Sequence, residues 1–170
     1  GAATVTIVVT GDVNGDGITE LPRAVLMAGY KDTSSSDAVY MLDWYAYGIG
    51  KVPAKVATTY QNISDAWSLL IDQKWHDRIT AIKANDGGLS YVEFFEYRKN
   101  KMSIPLFNIY CATGSNREYY AERIDLIQLG QTTQAIYFAK LTNEGEQSEL
   151  ALTGDEIKAR FSLVNQAWNN

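Results

Sequence analysis

Residues 39–47, 52–60, 67–71, 79–84, 89–97, 105–112 and 135–141 form runs of strand length, rich in β-branched and aromatic side chains. Such side chains suit a pleated, half-buried surface, so the middle of the chain is restricted to a strand-rich body. Gly48-Ile49-Gly50-Lys51 joins the first two runs as a hairpin signal. Asp86-Gly87-Gly88 is a stronger one, because Asp and Gly tolerate the positive φ of a tight turn. It predicts an antiparallel pair. Residues 116–127 read equally as a short helix or an irregular crossing. Near the end, Thr153 and Glu156 make a capping-box pattern, after which Ile157, Phe161, Val164 and Trp168 fall on one helical face. The expected fold class is α+β, an antiparallel β-sheet with a C-terminal packing helix. No repeat recurs along the chain, which excludes a solenoid or a complete propeller.

The chain has 170 residues, enough to bury a core without disulfide staples. Its 15 Lys and Arg against 20 Asp and Glu give a formal charge of −5, with the basic residues scattered. That balance argues against a phosphate-tracking surface, and hence against nucleic acid or an anionic membrane as main partner. The longest apolar runs are far below a membrane span, so no integral membrane segment is expected in this chain. Cys111 is the single cysteine and lies in an apolar run, where a buried, inert thiol is expected. Gly1-Ala2-Ala3 reads as the start of a mature fragment.

Ahead of the strand-rich body, a β-branched run at residues 4–9 enters Asp12-Val13-Asn14-Gly15-Asp16-Gly17-Ile18-Thr19-Glu20. Oxygen-bearing side chains at alternate positions of a glycine-interrupted loop are how a short backbone wraps a hard cation. An EF-hand would need a bidentate Glu at the twelfth position, which here is Arg23. A shorter loop fits better, with Asp12, Asn14, Asp16 and Glu20 as side-chain ligands and the Ile18 carbonyl between the last two. Oxygen-only ligation points to Ca²⁺, and the lack of His and Cys disfavours zinc or copper. The competing reading is a turn that holds no metal, since Asp, Asn and Gly are ordinary turn residues. A weak calcium site stays occupied outside cells, which favours an exported protein.

The loop spacing and the strand-like flanks, over about residues 4–28, resemble the calcium loop of FG-GAP repeats in integrin-type β-propellers and related bacterial surface proteins. The resemblance implies ligand roles for Asp12, Asn14, Asp16 and Glu20, and for Ile18 through its backbone. A propeller needs several blades and this chain has one loop, so a grafted hairpin or the remnant of a longer region is implied. Further on, Tyr60-Gln61-Asn62 and Trp67-Ser68-Leu69-Leu70-Ile71, then Trp75 and a terminal Phe161-Ser162-Leu163, resemble the PsbP-like domain of bacterial exported lipoproteins. Asp72 stands where that family's pattern has Pro. This resemblance, over about residues 58–168, implies an antiparallel sheet sandwiched by helices and used as a binding or accessory scaffold. The expected organisation is a calcium-loop β-hairpin at 1–30, a linker or loop at 31–37 and a PsbP-like body at 38–170, or one compact unit.

Two other groups of residues carry candidate chemistry. His76, the only histidine, sits beside Trp75 and Asp77 in a strand connection. It reads as a surface residue or as the base of a hydrolase, with Asp72 and Asp77 or Glu93 and Glu96 as possible carboxylate pairs. Trp44, Tyr45 and Tyr47 lie on one strand with Trp44 on the opposite face from the two tyrosines. They serve either as core or as an aromatic binding surface. The leading expectation is a non-enzymatic, calcium-binding domain of an exported or cell-surface bacterial protein that binds a protein or glycan. A secreted hydrolase using His76 or a carboxylate pair is the alternative.

Overall fold

The structure, a computed structural model, describes residues 10–30 and 38–164. The run at 4–9, the linker at 31–37 and Trp168 lie outside the described residues. Ten strands are present among the described residues: β1 (Leu21–Leu26), β2 (Tyr40–Ala46), β3 (Ala54–Asn62), β4 (Trp67–Leu70), β5 (Ile79–Asp86), β6 (Leu89–Arg98), β7 (Lys101–Thr113), β8 (Ile127–Gln131), β9 (Ala135–Leu141) and β10 (Phe161–Leu163). They build two five-stranded sheets, ordered β1-β2-β3-β4-β10 and β5-β6-β7-β9-β8. Every pairing is antiparallel. The protein is mostly β. Three short helices, α1 (Glu118–Ala121), α2 (Asn143–Glu146) and α3 (Gly154–Arg160), and a 3₁₀ turn at Gln73–Trp75 complete the elements.

The turn chemistry anticipated from sequence is realised closely. Asp86 pairs with Leu89 across a two-residue loop whose first member, Gly87, has φ +62°. The pairs β2–β3 and β5–β6 match the sequence runs, and β9 coincides with residues 135–141. β1 begins before Pro22, which lies opposite Trp44 in an end strand of the sheet, the position where a residue without an N–H is tolerated. Because β1 is hydrogen-bonded to β2, the segment that leaves the acidic loop is part of the first sheet.

The two sheets share one core. Tyr60, Trp67 and Leu69 from the first meet Phe94, Phe107, Ile109 and Tyr137 from the second. Tyr60 packs edge-on to Phe94 at 5.6 Å, and Tyr137 sends its hydroxyl to the Asp65 carbonyl at 2.6 Å. The side chains that carry the PsbP-like resemblance, Tyr60, Trp67, Leu69, Trp75 and Phe161, are all buried here.

Two expectations are corrected. The body is formed by sheet facing sheet, where a single sheet sandwiched by helices was implied. The C-terminal helix is also shorter than the apolar periodicity indicates. The capping box is present, with the Thr153 hydroxyl accepting from Glu156 N and the Glu156 carboxylate from Thr153 N. The helix nevertheless ends at Arg160, and Phe161 turns extended at φ −83°, ψ 138°. There Phe161 stacks on Trp67 at 5.8 Å, and β10 pairs with β4. Burial of an aromatic ring and a ladder of sheet hydrogen bonds outweigh another turn of solvent-facing helix.

Cys111 is buried, and burial pushes its thiol up to about 11. The thiolate is the reactive form. A thiol reagent at pH 8 is therefore expected to leave the native protein essentially unmodified and to label it fully in denaturant, as read by mass spectrometry. Full labelling of the native protein would contradict this burial.

Candidate functional site

The acidic loop hangs between Gly11 and Glu20, whose backbones form an antiparallel bridge through Glu20 N to Gly11 O at 2.9 Å and Gly11 N to Glu20 O at 3.3 Å. Inside it, Asp12 organises the turn. Its Oδ1 accepts from Gly15 N and Asp16 N, and its Oδ2 from Gly17 N, at 2.7–3.0 Å. Asn14 and Asp16 are tied by two contacts, Asp16 N to Asn14 Oδ1 at 3.1 Å and Asn14 Nδ2 to Asp16 Oδ2 at 3.0 Å. Ile18 N donates to Asp16 Oδ1 at 2.8 Å. Gly15 and Gly17 sit at φ +75° and +83°, in the left-handed region that a side chain with a Cβ resists. The sequence therefore makes a folded loop, wound around carboxylates.

Asp12, Asp16 and Glu20 converge, each offering a carboxylate oxygen within 4.8 Å of the others. Asp12 and Asp16 are exposed, whereas Glu20 is fully buried. Glu20 Oε2 accepts from Val13 N at 2.8 Å, but its Oε1 is buried without a hydrogen-bond partner. A buried carboxylate oxygen left unpaired is costly, and so are like charges this close: each pair repels by about 1 kcal/mol in water and more where water is excluded. The arrangement has the donor set and spacing to take a hard divalent cation. Asn14 is in place beside Asp16, and Ile18 occupies the position between Asp16 and Glu20.

A second feature lies next to the loop. The face of the first sheet that carries Tyr60 and Leu69 into the core also carries Val25, Met41, Asp43 and Thr58, which line a cleft of about 1180 Å³. Residues 70–73 and 75–77 and Arg160 also line it, as do Val13 and Asn14 of the acidic loop. Asp43 Oδ1 accepts from the Thr58 hydroxyl at 2.6 Å and faces Lys55 Nζ at 3.9 Å. Asp72 caps the 3₁₀ turn through Lys74 N and holds Arg160 Nη2 at 2.6 Å. His76 Nε2 is 3.3 Å from Asp77 Oδ2, both exposed, with Asp77 itself at φ +55°.

The structure thus brings His76, Asp72 and Asp77 to one cleft and adds Asp43, Lys55 and Arg160, which sequence reasoning missed because they come from distant parts of the chain. It separates the other nominated carboxylate pair. Glu96 is buried on the core-facing side of β6, held by Ser148 and Arg98, while Glu93 is on the opposite face. Glu93 and Glu96 cannot work together. Of the aromatic group, Trp44 is buried and donates from Nε1 to Thr59 at 2.8 Å, Tyr45 is half-buried and Tyr47 is exposed. No helix among the described residues is long and apolar enough to cross a membrane. Comparison of the chain with protein-family models, curated proteins and solved structures gives no match.

Proposed function

We propose that the protein is a non-enzymatic, calcium-stabilised binding domain of an exported or cell-surface bacterial protein, with Ca²⁺ held in an FG-GAP-type loop on a two-sheet β scaffold. The observation that carries the metal assignment is Glu20: a fully buried carboxylate with an unpartnered oxygen, set against Asp12 and Asp16. A cation there supplies the missing partner and cancels the repulsion. Asp12, Asn14, Asp16 and Glu20 contribute oxygens, and the Ile18 carbonyl completes the protein ligands. Oxygen-only donors and a flexible glycine-containing loop suit Ca²⁺ better than the stricter octahedron of Mg²⁺. With three carboxylates already gathered by backbone hydrogen bonds, the ion fixes the loop and does not build it. Isothermal titration of the metal-stripped protein is expected to give one Ca²⁺ per chain and much weaker Mg²⁺ binding. Absence of heat and of any spectral change up to millimolar Ca²⁺ would sink the assignment.

The hydrolase reading has one observation in its favour, the cleft that joins His76 to Asp72, Asp77 and Asp43. Among the described residues the cleft lining contains no Ser or Cys, and the Thr58 hydroxyl is given to Asp43. A hydrolase here would have to activate water with a carboxylate or His76. Turnover of polysaccharide or ester substrates by the parent, lost in His76→Asn or Asp43→Asn, would replace the binding reading with this one.

A further inference from the structure

The end of the first sheet that carries the acidic loop also carries exposed apolar side chains. Leu21 pairs with Tyr45 and Ala46 with Ala54, so the acidic loop and the β2–β3 connection at 47–53 project from the same end of neighbouring strands, which lie about 5 Å apart. Lys51 N donates to Gly48 O at 3.1 Å and closes a turn with Ile49 and Gly50 at its apex, Gly50 at φ +70°. Ile49 is fully exposed, Val52 is 89% exposed, and Tyr47, Ile18 and Leu21 are each about half exposed. Ile63, Met102 and Ile124 are exposed as well, but each belongs to a different segment, and scattered apolar side chains are ordinary on a surface. Those beside the acidic loop are grouped.

The shape and composition of this end decide what it meets. A turn apex is convex, so a folded partner would need a pocket matched to each branched side chain, whereas a lipid surface closes around any convex apolar tip. Tyr47 and Lys51 flank the aliphatics, and a phenol or a long-stemmed ammonium suits the boundary between apolar and polar layers. The acidic ligands oppose such an approach. Asp12 and Asp16 are exposed at the same end, and bringing carboxylates against a medium of low dielectric is costly. Calcium in the loop sets two positive charges against the three negative ones of Asp12, Asp16 and Glu20, leaving −1 and removing most of that cost. The formal charge of −5 on the whole chain still opposes an anionic surface and selects a zwitterionic one.

Resting on the calcium reading above, we propose that this end docks on a zwitterionic lipid surface, with Ile49 and Val52 entering the headgroup layer and calcium in the adjacent loop permitting the approach. Flotation of the intact protein with phosphatidylcholine vesicles, in millimolar CaCl₂ and in EGTA, tests it. The exposed side chains hold fewer apolar carbons than a myristoyl chain, whose partition constant is about 10⁴ M⁻¹, so a constant on the order of 10³ M⁻¹ is expected in calcium. In EGTA it should fall about tenfold, and by linkage saturating vesicles should tighten calcium binding by the same factor. The double variant Ile49→Ser, Val52→Ser should lose about tenfold or more in partition. It should keep the parent's melting temperature and its calcium affinity without lipid, since neither side chain is buried. Absence of vesicle binding in calcium, binding unchanged in the double variant, or binding confined to vesicles containing phosphatidylglycerol would overturn the proposal. A calcium-dependent dimer that the double variant abolishes, with no vesicle binding, would overturn it in favour of a second copy of the chain. Vesicle binding equal in calcium and EGTA, by a protein that takes up no calcium, would retain lipid docking and overturn the metal reading.

Discussion

Saturating calcium is expected to raise the melting temperature of the parent protein by about 5–10 °C, and Glu20→Gln to abolish most of that rise. A ligand at a hundred times its dissociation constant stabilises the folded state by about 2.7 kcal/mol, and in a domain of this size each kcal/mol shifts the midpoint by about 2–4 °C. The informative part is the sign in chelator. Glu20 is fully buried, with Oε1 unpaired and two further carboxylates close by. Glutamine keeps an acceptor for Val13 N, removes one of three like charges and sets an amide donor toward Asp12 and Asp16. Without metal, Glu20→Gln should therefore melt at the same temperature as the parent or above it. With metal, it should melt below. Scanning calorimetry of both proteins in calcium and in EGTA checks the crossing. A variant less stable than the parent by the same amount in both buffers would mean that Glu20 serves packing alone.

The second large effect is expected at Trp75, which belongs to both the core and the cleft wall. Its ring is almost fully buried, packs on Phe107 at 5.7 Å, and donates from Nε1 to the Leu150 carbonyl at 2.8 Å. Trp75→Ala deletes the ring and leaves that carbonyl unpaired, for a loss of about 3–5 kcal/mol. Trp75→Phe keeps most of the volume and loses the hydrogen bond, for about 1–2 kcal/mol. The spacing between the two variants separates cavity from hydrogen bond. Urea midpoints measure both, and a Trp75→Ala loss below about 1 kcal/mol would show that the site collapses without cost.

The strands were legible where β-branched and aromatic runs sit between strong turns, as in β2, β3, β5, β6 and β9. β8 was not: Ile127-Gln-Leu-Gly-Gln is short and polar, and its pairing with β9 shifts register between Gln128 and Gly130. Alternation shows which side chains share a face, but it does not assign strands to one sheet or two. The terminal segment misled for a related reason. Ile157, Phe161 and Val164 satisfy a helical spacing, while Phe161 and Leu163 also satisfy the two-residue repeat of a strand, and contact with Trp67 decides between them. At the acidic loop, spacing alone nominated the ligands because they are close in sequence. The burial of Glu20 and the convergence of Asn14, Asp43, His76 and Arg160 on one cleft depend on long-range packing that no local pattern encodes.

Pairing β10 with β4 has a consequence for how the chain comes to be folded. The hairpins β2–β3 and β5–β6 join neighbours in sequence and can form as soon as each is available. The first sheet, however, is finished by residues 161–163 reaching back to 67–69, across the whole of the second sheet. Closing so long a loop is entropically late. Until residues 161–163 have left the ribosome, the chain therefore has most of its hairpins and an open β4 edge, and the ring of Trp67 still waits for Phe161 to cover it.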